Sequence, residues 1–431
     1  MMIRNLLRRR RAGWFQVVGI VAAGVVLGLV LPHLERGRVP FGTFHYDASS
    51  AQATLGAIAS GMITLTGFVF TAITLVIQTV QNMSPRLFAA VRSFDRYPRL
   101  FGVFVATFTY ALIVLSQVRT NEVPQLSVTL AVVMVLVSAA LFLRLLLTLR
   151  NAVTAGGLIR TVAGQLREVI DQVYPPITRT SDTRNPNPAP PVSADAHQPP
   201  PARRLLHHRG EPGVFQGFDS GRLVRLACER GVSVEFLPAV GDFVATGAHL
   251  ATVTTIDDGS MAALSEQEID RLIRVGPART IEQDPAYGLR LLVDIAIRAL
   301  SPAVNDPTTA VQSLDQIDDV LSLLAGRNLG DGSVRDADGR VRIQFPAPTW
   351  PALAGLALDE IIAYGAGSLQ VVRRLRAVLE DVAYVCPPDR LDPITERLSL
   401  LDRLVAENFP DPATRQRALC ADRQGLGSPF G

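Results

Sequence analysis

Lysine is absent from the sequence, so all 42 basic residues are arginine. Cysteine occurs three times, at Cys228, Cys386 and Cys420, and these positions lie too far apart to match a metal-binding or redox spacing. Basic and acidic residues nearly cancel, and the net charge of +3 is too small to indicate a nucleic-acid partner. We therefore expect no metal, no cofactor and no nucleic-acid ligand, and nothing indicates an oxidising compartment.

Charge is scarcest in the first third of the chain. Charged residues make up only 19% of the sequence and hydrophobic residues 48%, and four blocks before residue 150 hold almost no charge. A helix needs about 20 mostly apolar residues to cross a bilayer core of about 30 Å. Four stretches meet this requirement and predict a four-helix transmembrane domain over residues 1–150: they run from about Trp14 to Leu31, Ala53 to Val80, Leu100 to Val118 and Gln125 to Leu143.

The first span begins with the basic run of a signal peptide, but its apolar stretch is longer than usual for one. No A-x-A-like cleavage site precedes Glu35, so a retained anchor is expected. Arginines are concentrated before the first span, between the second and third, and after the fourth, whereas the opposite loops hold only Arg36, Arg38 and Arg119. By the positive-inside rule, both termini are predicted to lie in the cytoplasm, with the protein in a bacterial inner membrane.

The second span is overlong and carries polar and small residues on one face. At 28 residues from Ala53 to Val80, it would reach about 42 Å, so it must tilt or protrude before the Ser84-Pro85-Arg86 exit. One interpretation is helix packing, since small residues let helices approach closely in lipid. The other is that copies of this helix line a water-filled path in an oligomer, without a charged ring to set ion preference. The stripe consists of Gly56, Ser60, Thr64, Gly67, Thr71, Thr74 and Gln78.

The region after the spans begins with a predicted juxtamembrane helix over residues 151–174. Residues 175–212 hold ten of the 29 prolines and few large apolar side chains, which predicts a disordered linker between membrane and domain. His207 and His208 in this stretch are expected to be solvated. The fold class is therefore a membrane α-helical domain of four transmembrane helices plus a cytoplasmic α+β domain.

The cytoplasmic domain is predicted to contain a small β-rich module over residues 213–262 and a mostly helical remainder over 263–423, followed by a frayed tail, 424–431. The glycines around Val240–Gly247 are similar to those of biotinyl–lipoyl modules, but the lysine that such modules modify is absent. A capping box at Ser265–Glu268 predicts a helix to about Val275. Asp306 and Pro307 predict the cap and first residue of another. Further helices are expected near residues 287–300, 351–364, 369–384 and 391–408, and a strand near 342–345.

The densest group of polar residues lies between Arg279 and Thr309. Asp294 and Arg298 are four residues apart on an apolar helix and are predicted to form an ion pair. A functional interpretation makes this cluster a small anion or metal site, or a contact that transmits a signal to the membrane. A structural interpretation assigns the same residues to helix starts, turns and packing. The cluster consists of Arg279, Asp284, Asp294, Arg298, Asn305 and Asp306.

Several of these segments resemble a family of bacterial predicted membrane proteins, domain of unknown function 2254. The resemblance rests on the exit of the second span, Ser84-Pro85-Arg86, and on the third-span stretch Phe104–Tyr110. It continues through Gly241–Val244, Arg279-Thr280, Gln283-Asp284 and the more specific stretch Ala299–Ala310, and it covers most of the chain. The resemblance implies a membrane location and this domain order, but no activity. The long proline-rich stretch looks expanded here.

Two functions fit these patterns. The first is an oligomeric channel or pore-like protein, a homo-oligomer in the lipid bilayer, lined by the second span and regulated or assembled by the cytoplasmic domain. The second is a membrane-anchored sensor or scaffold whose cytoplasmic domain binds a protein or small ligand. An enzyme is not expected, because the sequence offers no nucleophile–base pair, phosphate-cradling loop or His/Cys cluster. Four spans without a visible repeat are also too few for an inverted-repeat carrier.

Overall fold

The computed structural model describes residues 2–35, 46–83, 86, 97–120, 122–177, 203–256 and 264–426. The chain divides into two compact units, Met1–Leu158 and Ile159–Gly431. Each unit is described by itself.

The N-terminal unit is made of four long apolar helices. They are α1 Met2–Glu35, α2 Ala48–Met83, α3 Tyr97–Gln117 and α4 Gln125–Val153. Each is long and apolar enough to cross a membrane, with apolar segments Phe15–Glu35, Ala48–Thr79, Arg99–Gln117 and Gln125–Leu147. The four predicted membrane helices are therefore confirmed as candidate spans.

Helix α3 packs against the other three helices of this unit. Its contact with α1 is close because glycines leave room for the opposing backbone: a Cβ on Gly24 would lie 3.0 Å from the Ala106 carbonyl oxygen, and one on Gly28 would lie 3.2 Å from the Ile113 Cβ. Buried polar groups also join the helices. The Tyr110 hydroxyl donates to the Ser127 carbonyl at 3.0 Å, and the hydroxyl of Ser127 donates to Glu35 at 2.6 Å.

The C-terminal unit contains two β-sheets. The five-stranded sheet has the order β1 Arg203–His207, β5 His249–Thr255, β3 Val232–Phe236, β8 Val341–Gln344 and β7 Ser333–Arg335. Its neighbours are antiparallel except for the β3–β8 pair. The smaller antiparallel sheet has the order β4 Phe243–Val244, β2 Gly213–Phe218 and β6 Ile273–Gly276. Helix α6, Ser220–Arg230, packs beside β3, β7 and β8.

Aromatic rings pack against one another in the core of the β-rich part. The Phe218 ring lies 5.0 Å from Phe236 and 5.2 Å from Phe345, and Phe215 lies 5.4 Å from Phe236, measured between centroids. Since Phe345 follows β8, this core reaches beyond the predicted module 213–262 into the stretch expected to be mostly helical. The mixed α+β class is confirmed, while the β-rich part is built from more of the chain than the sequence indicated.

The remaining elements are helices. They are α7 Glu266–Asp270, α8 Pro285–Ala299, α9 Pro307–Ala325, α10 Trp350–Gly365, α11 Leu369–Val385, α12 Asp392–Asn408 and α13 Pro412–Ala418, with 3₁₀ turns at Ile281–Gln283 and Pro388–Arg390. The capping box at Ser265 and the Asp306 cap with Pro307 in the first turn are confirmed. The helix expected to reach Val275 is wrong in its second half, because the chain from Ile273 pairs with β2.

Helix α5, Ala155–Val173, follows α4 after a single residue, Thr154, whose backbone is extended at φ −86° and ψ 139°. The Thr154 hydroxyl accepts a hydrogen bond from the amide of Gly157 at 3.2 Å and so caps α5. From Ile159 onward α5 belongs to the C-terminal unit, and its apolar face is buried at Val162, Leu166 and Ile170.

Both ends of the proline-rich stretch are part of the C-terminal unit. After α5, the amide of Ile177 donates to the Gly326 carbonyl at 3.0 Å, and the amide of Asn328 donates to the Pro175 carbonyl at 2.8 Å. At the other end, Arg203–His207 forms β1 rather than linker. The predicted linker over 175–212 is thus wrong at both ends, and its middle, 178–202, lies outside the described residues. The chain enters the domain through α5, before this stretch.

Candidate functional site: the outer face of α2 and the α8 region

The buried and polar faces of α2 lie on opposite sides of the helix. Leu55, Met62, Val69 and Val76 are buried and recur every seven residues. At 100° per residue, the predicted stripe is centred about 180° around the helix from them. Its members are exposed except Gly56 and Thr74, which are half-buried. A Cβ added at Gly56 or Gly67 would have no atom of the described residues within 4 Å, apart from its own helix.

The hydroxyls of the stripe bond to their own helix. Ser60 donates to the Ala57 carbonyl at 3.1 Å, Thr64 to the Ser60 carbonyl at 3.0 Å, and Thr71 to the Gly67 carbonyl at 3.0 Å. Thr74 does the same with Phe70 at 2.9 Å. Each hydroxyl hydrogen is therefore used locally, while the oxygen keeps a lone pair for another donor. Among the described residues, Gly56 and Gly67 of the stripe have no close packing neighbour outside their own helix.

The six residues of the predicted polar cluster fall into separate places. Asp284 lies at the start of α8 and Asp294 is ten residues further on, a separation of about 15 Å along the helix. Asn305 and Asp306 lie in the turn that follows α8. Within the described residues, no group of three His, Cys, Asp or Glu side chains is arranged to hold a metal ion.

Arg279 and Asp284 form the first of these places. Both Nε and Nη2 of Arg279 donate to one oxygen of Asp284, at 2.9 and 2.7 Å. The other oxygen accepts from the Tyr287 amide at 2.9 Å and caps α8. Burial raises the pKa of Asp284, although the Arg279 guanidinium acts in the opposite direction. Burial, with a smaller contribution from the charge of Asp284, raises the pKa of Tyr174 at the end of α5 to about 12.

The Asp294 partner differs from the prediction. The Asp294 carboxylate accepts from Nε of Arg290 at 2.7 Å, one helical turn earlier, and Arg290 also binds Glu360 of α10. Arg298 is exposed near the end of α8. The predicted pairing of Asp294 with Arg298 is therefore corrected to a bridge from α8 to α10, because Arg290 contacts both Asp294 and Glu360.

Asn305 and Asp306 shape the turn between α8 and α9. Asn305 has φ +47°, in the left-handed region that asparagine tolerates better than most residues. The Asp306 carboxylate accepts from the amide and the hydroxyl of Thr309, at 3.1 and 2.6 Å, and caps α9. These contacts agree with the structural interpretation of both residues.

The histidines expected to be solvated are engaged with α7. His208 is 3% exposed; its Nε2 lies 2.9 Å from the Glu211 carbonyl oxygen, and its Nδ1 lies 3.4 Å from an Asp270 oxygen. His207 is half-buried, with Nδ1 3.6 Å from Glu266. The prediction that His208 is solvated is wrong, because this residue directly follows β1 and is buried against Glu211 and Asp270. In the sequence, the apolar pair Leu205-Leu206 just before the two histidines is the feature that indicates a strand here.

Comparison with known proteins agrees with this organisation. Residues 10–381 match a family described as "Predicted membrane protein (DUF2254)". The chain belongs to this family. It is also 29% identical over 440 residues to uncharacterised proteins of Mycobacterium bovis and Mycobacterium tuberculosis, an alignment that covers 97% of this chain and 82% of each relative. No solved structure matches it.

In this DUF2254 chain, three of the segments that carry the family resemblance meet at Arg279. Gly241 has φ +103°, and a Cβ there would lie 2.3 Å from Nη2 of Arg279. The guanidinium carbon of Arg279 lies 5.4 Å from the centre of the Tyr287 ring. The side chain of Gln283 exchanges hydrogen bonds with the backbone of Phe218 at 3.0 and 3.1 Å. This junction fastens the small sheet to the start of α8.

Proposed function

We propose that this membrane protein is an oligomeric channel or pore-like protein in which α2 of each copy lines a shared path. The observation that carries the proposal is the position of the polar stripe, on the side of α2 opposite its buried face. If the stripe faced lipid, its residues would contribute little apolar area. If it faces other copies of α2, its small residues permit close approach, and its hydroxyl oxygens meet water or one another.

The proposed path has no charged ring. Ser60, Thr64 and Thr71 offer hydroxyl oxygens whose hydrogens are already bonded to the backbone, so their free lone pairs act as acceptors. Selectivity between ions of opposite charge is therefore not part of the proposal. The proposal also assigns no catalytic residue and places both termini and the C-terminal unit in the cytoplasm of a bacterial inner membrane.

Thiol accessibility tests the path directly. Single cysteines at Thr64 or Thr71, in a background with Cys228, Cys386 and Cys420 changed to serine, are treated in liposomes with a membrane-impermeant methanethiosulfonate. Leu136→Cys is the matched control, because Leu136 is an exposed apolar residue on α4. We expect modification at Thr64→Cys and Thr71→Cys and none at Leu136→Cys. Equal protection at all three positions would contradict a water-filled path.

Ion flux from the same liposomes supplies the functional readout. Thr71→Arg places a large charge on the stripe, whereas Leu136→Arg places one on α4. If α2 lines the path, Thr71→Arg reduces flux and Leu136→Arg leaves it unchanged when equal amounts of folded protein are reconstituted. Absence of flux from the unmodified protein, together with unreactive stripe cysteines, would remove the channel proposal.

The alternative is a membrane-anchored sensor or scaffold, and one observation favours it. Because only Thr154 separates α4 from α5, and α5 is buried in the C-terminal unit, a change bound or sensed in that unit has a direct covalent route to a membrane helix. A sensor of this kind would not have to conduct ions across the membrane. A reconstituted protein that passes no ions, yet binds a soluble partner through its C-terminal unit, would support the alternative.

A further inference from the structure

We infer that His208 and Asp270 share one buried proton, and that loss of this proton as the pH rises loosens helix α7 from the segment that follows β1. Both residues belong to the C-terminal unit, Ile159–Gly431. Neither takes part in the polar stripe of α2 or in the Arg279 junction. A pH-dependent contact at this place therefore goes beyond the proposed channel and does not depend on it.

The chain on both sides of His208 fixes the position of its imidazole ring. The His208 amide donates to the Ala248 carbonyl at 2.9 Å, and the His208 carbonyl accepts from the Gly247 amide at 2.8 Å. Gly210 lies against the ring, since a Cβ on Gly210 would be 2.8 Å from the His208 Cε1. The Gly210 carbonyl in turn accepts from the Thr246 hydroxyl at 2.9 Å. The ring is therefore buried in a braced segment, and a change in its polar neighbours requires this segment or α7 to move.

Both nitrogens of the His208 ring face oxygen atoms. Nε2 lies 2.9 Å from the Glu211 carbonyl oxygen, and because a carbonyl oxygen only accepts, Nε2 carries a hydrogen. Nδ1 lies 3.4 Å from Oδ1 of Asp270. Both Nδ1 and Oδ1 are buried, and neither makes a hydrogen bond with any of the described residues. The ring thus presents one satisfied nitrogen and one unsatisfied nitrogen, and the unsatisfied one faces a carboxylate.

A neutral imidazole and an ionised carboxylate do not fit this geometry. With its one hydrogen on Nε2, a neutral ring points the lone pair of Nδ1 at Oδ1 of Asp270, which in an ionised carboxylate is also a pure acceptor. Burial makes this mismatch costly, because water does not supply the missing donor. One proton on Nδ1 or on Oδ1 removes the mismatch, so the pair holds one proton at low pH. When that proton leaves, the mismatch returns and favours separation of the two side chains.

The elements next to the pair carry further charged or titratable side chains, which are exposed or have partners of their own. They are His207, Arg209, Glu211, His249, Glu266, Glu268 and Arg271. Glu266 accepts from Arg209 at 2.5 Å, and this hydrogen bond lowers the pKa of the Glu266 carboxyl group. Nδ1 of His207 lies 3.6 Å from Glu266, and the His207 ring lies 4.7 Å from the His249 ring, measured between centroids. Since histidine changes its charge near neutral pH, the effects of His207 and His249 have to be separated from that of His208.

Helix α7 meets the segment after β1 at both of its ends. Glu266, its first residue, accepts from Arg209 and also from the His207 amide at 3.3 Å. Asp270, its last residue, faces His208. Ile269 is fully buried in the core of the β-rich part and anchors the helix there. Loss of the shared proton is therefore expected to open the end of α7 locally, while the rest of the domain stays folded.

Amide hydrogen exchange of the full-length protein in detergent, read by mass spectrometry, tests for the shared proton. Exchange is measured between about pH 5.5 and about pH 8.5, and the rates are corrected for the intrinsic effect of pH on amide exchange. Helix α12, Asp392–Asn408, is the internal reference. Relative to α12, we expect the amides of α7 in the unmodified protein to exchange at least about tenfold faster at the upper pH, because one buried charged hydrogen bond is lost.

Two variants remove the need for the proton from opposite sides of the pair. Asp270→Asn can donate its amide to Nδ1 of a neutral ring, and His208→Gln can donate to both the Glu211 carbonyl and Asp270 without titrating. In each variant we expect the pH-dependent change in α7 to fall below about twofold. The double variant His207→Gln/His249→Gln is the matched control and should retain the full change, because it leaves the His208–Asp270 pair intact.

Each protein is compared with itself across the pH range, so a uniform loss of stability in one variant does not imitate these results. A flat profile in the unmodified protein would overturn the proposal. The same conclusion follows if the full change persists in both Asp270→Asn and His208→Gln. Loss of the change in His207→Gln/His249→Gln would also count against it, because the responsible proton would then lie on one of those two histidines.

Discussion

Gly241 and the Arg279 guanidinium occupy adjoining space, and this contact can be tested with one methyl group. Gly241→Ala combines a backbone at φ +103° with a Cβ 2.3 Å from Nη2 of Arg279. We expect a loss of about 1–3 kcal/mol of stability, measured as a lower unfolding temperature in mild detergent. Gly247→Ala is the control, since its φ is +80° but no atom of the described residues lies within 4 Å of the new Cβ. Equal effects would show that the Arg279 contact is unimportant.

Asp284 should make stability depend on pH. Burial raises the pKa of its carboxyl group above the ordinary value of 3.8, so the folded protein holds this proton more tightly than the unfolded chain. Its contribution to stability is therefore present at low pH and is lost as the pH rises through the raised pKa. Asparagine at this position still caps α8 but does not titrate.

We therefore expect the stability of the unmodified protein, relative to Asp284→Asn, to fall as the pH is raised from about 3.8 through the raised pKa of Asp284. Thermal unfolding in detergent at a series of pH values measures this difference. A difference that increases with pH would mean that the Arg279 ion pair outweighs burial.

At the scale of elements, the question for α5 is whether it is part of the core of the C-terminal unit or only a tether between membrane and domain. Leu166 is fully buried and contacts the Gly288 position of α8. Leu166→Ala should cost about 2–5 kcal/mol and raise hydrogen exchange in α8 and α9. Val173→Ala, at an exposed position on the same helix, should change neither. If α5 were only a spacer between membrane and domain, Leu166→Ala would leave exchange in α8 and α9 unchanged.

The sequence predicted elements well wherever a local signal was sufficient. Long apolar runs located the four membrane helices, and the Ser265 and Asp306 caps located helix starts. Strands β1, β4, β6 and β7 and helix α13 escaped prediction. These strands are two to five residues long and depend on partners that are distant in sequence, as β1 depends on β5.

For the candidate site too, the sequence predicts the features that depend on local patterns and misses those that depend on distant residues. Helical periodicity correctly placed the stripe residues on one face of α2, but periodicity cannot show whether that face turns toward the rest of the chain. The pairing of Asp294 was missed because Glu360, which positions Arg290, is contributed by a helix 70 residues away in sequence. The composition of the proline-rich stretch predicts a tether between membrane and domain, but composition does not reveal that α5 is a core helix.

At the scale of the whole molecule, the family assignment and the four candidate spans describe a membrane protein in which most of the polar face of α2 is exposed among the described residues. The most direct test of the proposed channel is the arrangement of copies in a lipid nanodisc, determined by electron cryomicroscopy. If the protein is a channel of this kind, we expect several copies around one axis, with Ser60, Thr64 and Thr71 of each α2 facing that axis. A monomer, or an oligomer with α2 turned to the lipid, would contradict it.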